Sequence, residues 1–161
     1  MSKTIKTLHY PFTLIQYHVG ILLTFSLCII QGCNFEDCGE CFTPPIPITF
    51  EILDHDTREN LFSNGTYNPD ELTIENINDN SIIPFKYFSE SNQIVVSSIG
   101  WKTETVNYIF KIDTDSLFTL HVDAERISEE CCSFTRYNEI LIENSSYEFT
   151  GDTEVYSILV D

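Results

Sequence analysis

After residue 45 the chain alternates apolar and polar side chains with period two. Ile46, Ile48, Phe50 and Ile52 are separated by Pro47, Thr49 and Glu51. Val106, Tyr108, Phe110 and Ile112 follow Thr105 and are interleaved with Asn107 and Lys111, and Phe118, Leu120, Val122 and Ala124 with Thr119, His121 and Asp123. Successive side chains of a strand point to opposite faces, so this spacing predicts half-buried strands with one face in a core. Between the last two runs, "DTDS" at residues 113–116 reads as a hairpin turn. Shorter segments of the same kind are Glu71–Glu75, Phe85–Phe88, Gln93–Ile99, Ser133–Tyr137, Glu139–Glu143 and Val155–Val160, with turn-rich "SNGTYNPD", "NDNS" and "ENSS" separating several of them. No helical period of 3.6 competes. About eight or nine short strands predict an all-β domain over residues 46–161, a single antiparallel β-sandwich, immunoglobulin-like or related.

The first 32 residues break this pattern. They hold Lys3 and Lys6, no acid, and the apolar run "GILLTFSLCII" at Gly20–Ile30. That run is too short to span a bilayer and has the length and flanking charge of an export signal. The "IIQGC" that follows lacks the small-x-small pattern of a general secretory cleavage site. It resembles the lipobox of bacterial lipoproteins, with Ile30 at minus three, Gly32 at minus one and Cys33 as the acceptor, Gln31 being the departure from the usual choice. The resemblance implies that residues 1–32 are removed and that Cys33, whose thiolate is the nucleophile, carries the lipid. Residues 33–45 then form a lipidated tether, ending in "FTPPIP", where Pro44, Pro45 and Pro47 exclude helix. Glu36 and Asp37 resemble the acidic export signal that Bacteroidetes place after the lipidated cysteine, which implies the outer membrane and display at the cell surface.

Charge narrows the partners. The chain of 161 residues carries 25 acidic and 8 basic side chains, for a formal net charge of -17. Loss of residues 1–32 would remove two lysines and no acid, leaving -19. Nucleic acid phosphates and anionic headgroups would be repelled, so nucleic acid is not an expected partner. Acyl chains, at about 0.8 kcal/mol per buried methylene, would hold such an anion on a membrane regardless. Disorder is the other destination of very acidic chains, but a composition 42% hydrophobic and 13% aromatic can repay chain ordering.

Six cysteines remain to be assigned. Cys28 lies in the export run and Cys33 is the lipid acceptor, which leaves Cys38, Cys41, Cys131 and Cys132 in the mature chain. "CGEC" has the spacing of a redox pair, but the prolines after it deny the helix that would stabilise a thiolate. Four thiolates could bind zinc, yet neighbouring strand residues such as Cys131 and Cys132 point apart. Oxidising conditions outside the cytoplasm favour disulfides joining the tether to the region of Cys131 and Cys132, and three pairings are open. A link closing about 90 residues stabilises by up to ~4 kcal/mol on loop-entropy grounds.

Other chemistry is sparse. Asp54-His55-Asp56 and Asp113-Thr114-Asp115 offer oxygen ligands without the spacing of a calcium loop and read as solvated turns, and His121 reads as a solvent-facing residue. Nucleophile-elbow, phosphate-loop and zinc-protease motifs are absent, so no catalytic residue, metal or other cofactor is expected. Asn64 and Asn144 match a eukaryotic glycosylation pattern without force in a bacterial protein. Asp115-Ser116-Leu117 resembles the three-residue O-glycosylation motif of exported Bacteroidetes proteins, which implies a glycan on Ser116. A longer resemblance runs from "CFTPPIPITFEILDHDTRENLFSNGTYNPDEL" through "ECCSFTRYNEI" to the terminal strand. The chain is similar there to a family of uncharacterised Bacteroidetes lipoproteins, and this implies the fold, the address and the role of Cys38, Cys41, Cys131 and Cys132 in disulfides. The expected function is a membrane-anchored extracytoplasmic binding or accessory module with a protein partner in the cell envelope, not an enzyme. The alternative is a zinc or redox protein built on the four thiols. A glycan-binding version would stack sugars on Phe62, Tyr67, Trp101 or Tyr137.

Overall fold

The alternation is realised as two facing sheets in the computed structural model, which describes residues 41–129 and 132–161. Residues 1–32, expected to be an export signal, together with Cys33, Cys38 and Cys131, lie outside the described residues. Ten strands follow in order: β1 (Cys41–Phe42), β2 (Ile48–Asp54), β3 (Leu72–Asn76), β4 (Lys86–Phe88), β5 (Gln93–Val96), β6 (Glu104–Ile112), β7 (Asp115–Glu129), β8 (Cys132–Glu143), β9 (Ser146–Thr150) and β10 (Val155–Val160). One sheet has the order β1-β8-β7-β6-β3 and the other β4-β5-β2-β10-β9. A 3-10 turn at Pro69–Glu71, capped by the Asn68 side chain, precedes β3. Among the described residues no helix is long and apolar enough to cross a membrane.

The all-β sandwich stands, with corrections of detail. Neither sheet is purely antiparallel, because β1 joins β8 and β2 joins β10 in parallel. Parallel neighbours need a long connection, and here the chain between β2 and β10 supplies it by building most of the other sheet. The strands are not all short: β7 has 15 residues and β8 has 12. β9 was not expected, although Tyr147 and Phe149 alternate with Ser146, Glu148 and Thr150. Residues 41–45, read as tether, already belong to the fold, since β1 joins the first sheet and Pro45 is buried.

The core forms where the inner faces meet. Phe110 and Phe118 are cross-strand partners on β6 and β7 with ring centroids 4.2 Å apart. Phe50 of β2 reaches both from the opposite sheet, at 5.1 and 5.4 Å, and all three rings are 0% exposed. Two bulges keep the inward positions in phase. Leu117 is the extra residue where β7 leaves the hairpin turn, and Asn138 is the extra residue on β8. The segments Ser133–Tyr137 and Glu139–Glu143, expected as two strands, are therefore one strand bulged at the residue between them. Ile140 and Ile142 lie opposite Val122 and Leu120, and beyond the bulge Tyr137 and Thr135 lie opposite Ala124 and Arg126. If β8 ran through Asn138 without bulging, the inward side chains of that half would be Asn138, Arg136 and Phe134.

β1 is held covalently as well as by pairing. Cys41 and Cys132 are register partners with Cα atoms 4.6 Å apart, and they form a disulfide across 91 residues of sequence. Closing that loop restricts the unfolded chain and stabilises the fold by about 4 kcal/mol. Reduction should lower the melting temperature by on the order of 10 °C. Calorimetry with and without reductant checks this, and coincident melting curves would contradict it.

Candidate functional site

Two incompletely paired strand edges flank an apolar cleft. β9 ends its sheet, with β10 on one side only, and all five of its residues are exposed. β8 has β1 beside only Cys132 and Ser133. Past Ser133, among the described residues, no backbone hydrogen bond from another segment reaches the side of β8 away from β7. The cleft holds about 150 Å³ and is lined by Ile46, Pro47, Tyr137, Ile140, Phe149 and Tyr156, with Glu154 at its rim.

Its walls are core positions that have outrun their cover. Phe50, Tyr156 and Phe149 are register neighbours across β2, β10 and β9, with ring centroids 5.8 and 4.6 Å apart. The row begins fully buried at Phe50 and ends at Phe149, which is 50% exposed. Tyr147, two residues earlier on the same face of β9, adds a ring 6.0 Å from Tyr156. Across the cleft the Tyr137 hydroxyl donates to the carbonyl of Ile46 at 2.8 Å, which fixes the segment entering β2 as one wall. Burial pushes the phenol of Tyr137 up, with Glu104 adding to it, and burial with Tyr147 does the same for Tyr156, so both remain protonated. The volume is below the roughly 300 Å³ at which small-molecule pockets begin. It fits one or two apolar side chains of a strand that pairs with an open edge.

A second surface lies at β1, where the described chain begins. Phe42 is 58% exposed and Trp101 51%, and their rings stack at 5.9 Å with an interplanar angle of 22°. The Arg126 guanidinium covers the Phe42 ring at 4.7 Å. Arg126 continues the inward positions of β7 past Ala124, where an apolar residue would be expected, but the opposite sheet no longer covers it there. Its guanidinium donates to the Thr135 hydroxyl and to the Ser133 carbonyl and hydroxyl at 2.9 to 3.1 Å, and it has no carboxylate partner among the described residues. The Trp101 indole N–H donates to the Ser97 carbonyl at 2.7 Å. Gly100 holds this loop close to β8: its φ is +88°, its carbonyl accepts from the Thr135 hydroxyl at 2.6 Å, and its N–H donates to Glu104 at 2.9 Å.

The remaining candidates are dispersed. Of the four aromatics proposed to stack on sugars, Phe62 is a core residue in contact with Tyr67 and Tyr87 and is unavailable, and Tyr67 and Tyr137 are half-buried. Trp101 alone presents much of its ring. Ser116 is exposed beside the two-residue turn Asp113–Thr114, at the margin of a wide polar depression shared with His55, Asn144 and Asp161. Asp54 closes its own turn, accepting from the Thr57 N–H at 2.7 Å and the Thr57 hydroxyl at 2.8 Å. These bonds hold its carboxyl below the usual carboxylate range. His121 lies on the outer face, bonded to Asn107 at 2.8 Å. Among the described residues no three His, Cys, Asp or Glu side chains are grouped to hold a metal. Phe149 was recoverable from the alternation in "SYEFT" and Phe42 from its place beside Cys41, whereas nothing in the sequence marks Arg126 as an inward-facing cation.

Gly100→Ala tests the close approach of the tryptophan loop to β8. A Cβ there would lie 2.6 Å from Cγ2 of Thr135, at a φ of +88°. The expected loss is about 2 kcal/mol or more in urea unfolding, from left-handed strain and overpacking together. Adding Thr135→Ser, which keeps the hydroxyl and removes the methyl, should restore the steric share only. Neither surface can be carried over from a relative, because no family model, no curated protein and no solved structure matches the chain.

Proposed function

We propose that the chain is a lipid-anchored extracytoplasmic lipoprotein of a bacterial outer membrane, displayed at the cell surface, that acts as a non-enzymatic binding module for a protein partner of the cell envelope. The observation that carries the binding role is the cleft between β8 and β9, where open strand edges flank exposed Phe149 and Tyr147. An extended segment of the partner adds to an open edge through backbone hydrogen bonds and seats apolar side chains in the cleft. The address is supported by the export-like run, the lipobox-like "IIQGC" at Cys33 and the acids Glu36 and Asp37. The exposure of Ser116 beside a turn supports its use as an O-glycan acceptor. The disulfide between Cys41 and Cys132 favours this reading over zinc or redox chemistry on four thiols, because it occupies two of the four sulfurs such a site needs.

Two measurements test it. The intact mass of protein extracted unreduced from its native membrane should correspond to a chain starting at Cys33 with acyl mass added and no alkylatable thiol. An unlipidated chain or reactive thiols would sink the anchored-module reading. A photocrosslinker placed at Phe149 in intact membranes should capture one recurring envelope protein, and the same group at Ile82, 64% exposed, should not. Capture of only random abundant proteins at Phe149 would count against the cleft.

A further inference from the structure

We propose that Phe42 and Trp101 form a contact with the bilayer interface that sets the orientation of the domain on the membrane. This rests on the lipid anchor at Cys33 and goes beyond it. Phe42 is nine residues from Cys33, so an extended tether lets this surface reach no more than about 30 Å from the anchor. The root of the tether is stiff, because Phe42 pairs with Ser133 and its neighbour Cys41 is bonded to Cys132. The stacked rings are therefore fixed at the point of the domain that the tether holds nearest the lipid.

Their chemistry suits that boundary. Tryptophan and other amphipathic rings concentrate at the headgroup level of bilayers. The indole N–H of Trp101 is already bonded to Ser97, so the ring takes no unpaired donor into the interface. The cations beside the pair are Arg126, over the Phe42 ring, and Lys102, whose ammonium lies 3.9 Å from one carboxylate oxygen of Glu104 while the other accepts from the Gly100 N–H. The chain as a whole carries a net charge of -17, so ring burial and not charge supplies the contact. A sugar would need free polar groups around the rings. The Arg126 guanidinium is instead committed to Ser133 and Thr135, and Glu104 to Gly100.

Trp101 is the chain's only tryptophan, so intrinsic fluorescence reads this site alone. The lipidated full chain, reconstituted in phosphatidylcholine vesicles, should show blue-shifted emission that brominated phosphatidylcholine quenches equally at low and high salt. A Trp101→Phe, Tyr147→Trp double variant moves the fluorophore toward the opposite end of β8, roughly 30 Å of strand away, and should stay unquenched. Four results would overturn the inference. Protein that floats with the vesicles but whose Trp101 is unquenched defeats the orientation and leaves the anchor standing. Equal quenching of the double variant shows that no face is preferred. A shift of Trp101 emission by soluble xylo-oligosaccharides without vesicles assigns the rings to a glycan. Protein that does not float removes the anchor and the inference together.

Discussion

Phe50, Phe110 and Phe118 make the contact on which the rest of the domain depends. Two of these rings belong to one sheet and the third to the other, so the stack is the point where the sheets are joined rather than merely facing. Aromatic pairs of this geometry add about 0.5–1.5 kcal/mol each beyond the area they bury. More important is the phase they impose. Once Phe118 faces inward, Leu120, Val122 and Ala124 must do so too, and so must their partners on β6 and β8. A slip of one residue would turn each of these side chains to solvent. The two bulges are the devices that let long strands leave a tight turn, or bend, without losing that phase.

Both candidate surfaces follow from where the phase outlasts the core. On β7 the inward positions continue past Ala124 to Arg126, beyond the reach of the opposite sheet, and a cation there bonds to inward hydroxyls and a ring. On β9 the inward row continues from Phe50 through Tyr156 to Phe149, beyond the last strand of the other sheet. The two sheets are thus offset, and each leaves an uncovered strip of inner face. Singly exposed apolar residues are ordinary on protein surfaces. Phe149 and Tyr147 are not single, since they share one strand face beside an open backbone edge. An edge of this kind invites pairing, and native proteins shield it with charge. Here the shield is thin: Glu148 is bonded to Arg58 at 2.9 Å, which neutralises the one charge in the middle of β9.

Much of this was legible in the residues. The strand at Val155–Val160 coincides with its expected limits, and the hairpin at "DTDS", reduced to the two-residue turn Asp113–Thr114, lies where expected. Strand ends were less legible, because β7 runs on through Glu125, Arg126 and Ser128, polar residues that hold extended backbone through their partners on β8 and, at Arg126, through its N–H donating to the Thr103 hydroxyl. The parallel pairings could not be read at all. They depend on how the first and last strands of a sheet meet, and local alternation carries no information about partners distant in sequence. The same holds for the sites: Trp101 stood out as a lone tryptophan, but its stack on Phe42 joins residues 59 positions apart and needs the fold to exist.

The disulfide explains why so short a strand as β1 is ordered. Two residues paired to Cys132 and Ser133 cannot resist fraying by hydrogen bonds alone, since each contributes only about 1 kcal/mol net. A covalent link at Cys41 makes opening of that edge require movement of β8, which lies beside the longest strand of the sheet. Whatever pulls on the chain before residue 41 is then borne by the sheet and not by a frayed end. For a chain with a net charge of -17, which anionic surfaces repel, a fixed root does what adhesion would do for a basic protein. It restricts which faces the acidic domain can turn toward its surroundings. The cleft at β9, reached from the same chain segment through Ile46 and Pro47, is held at a set distance from that root.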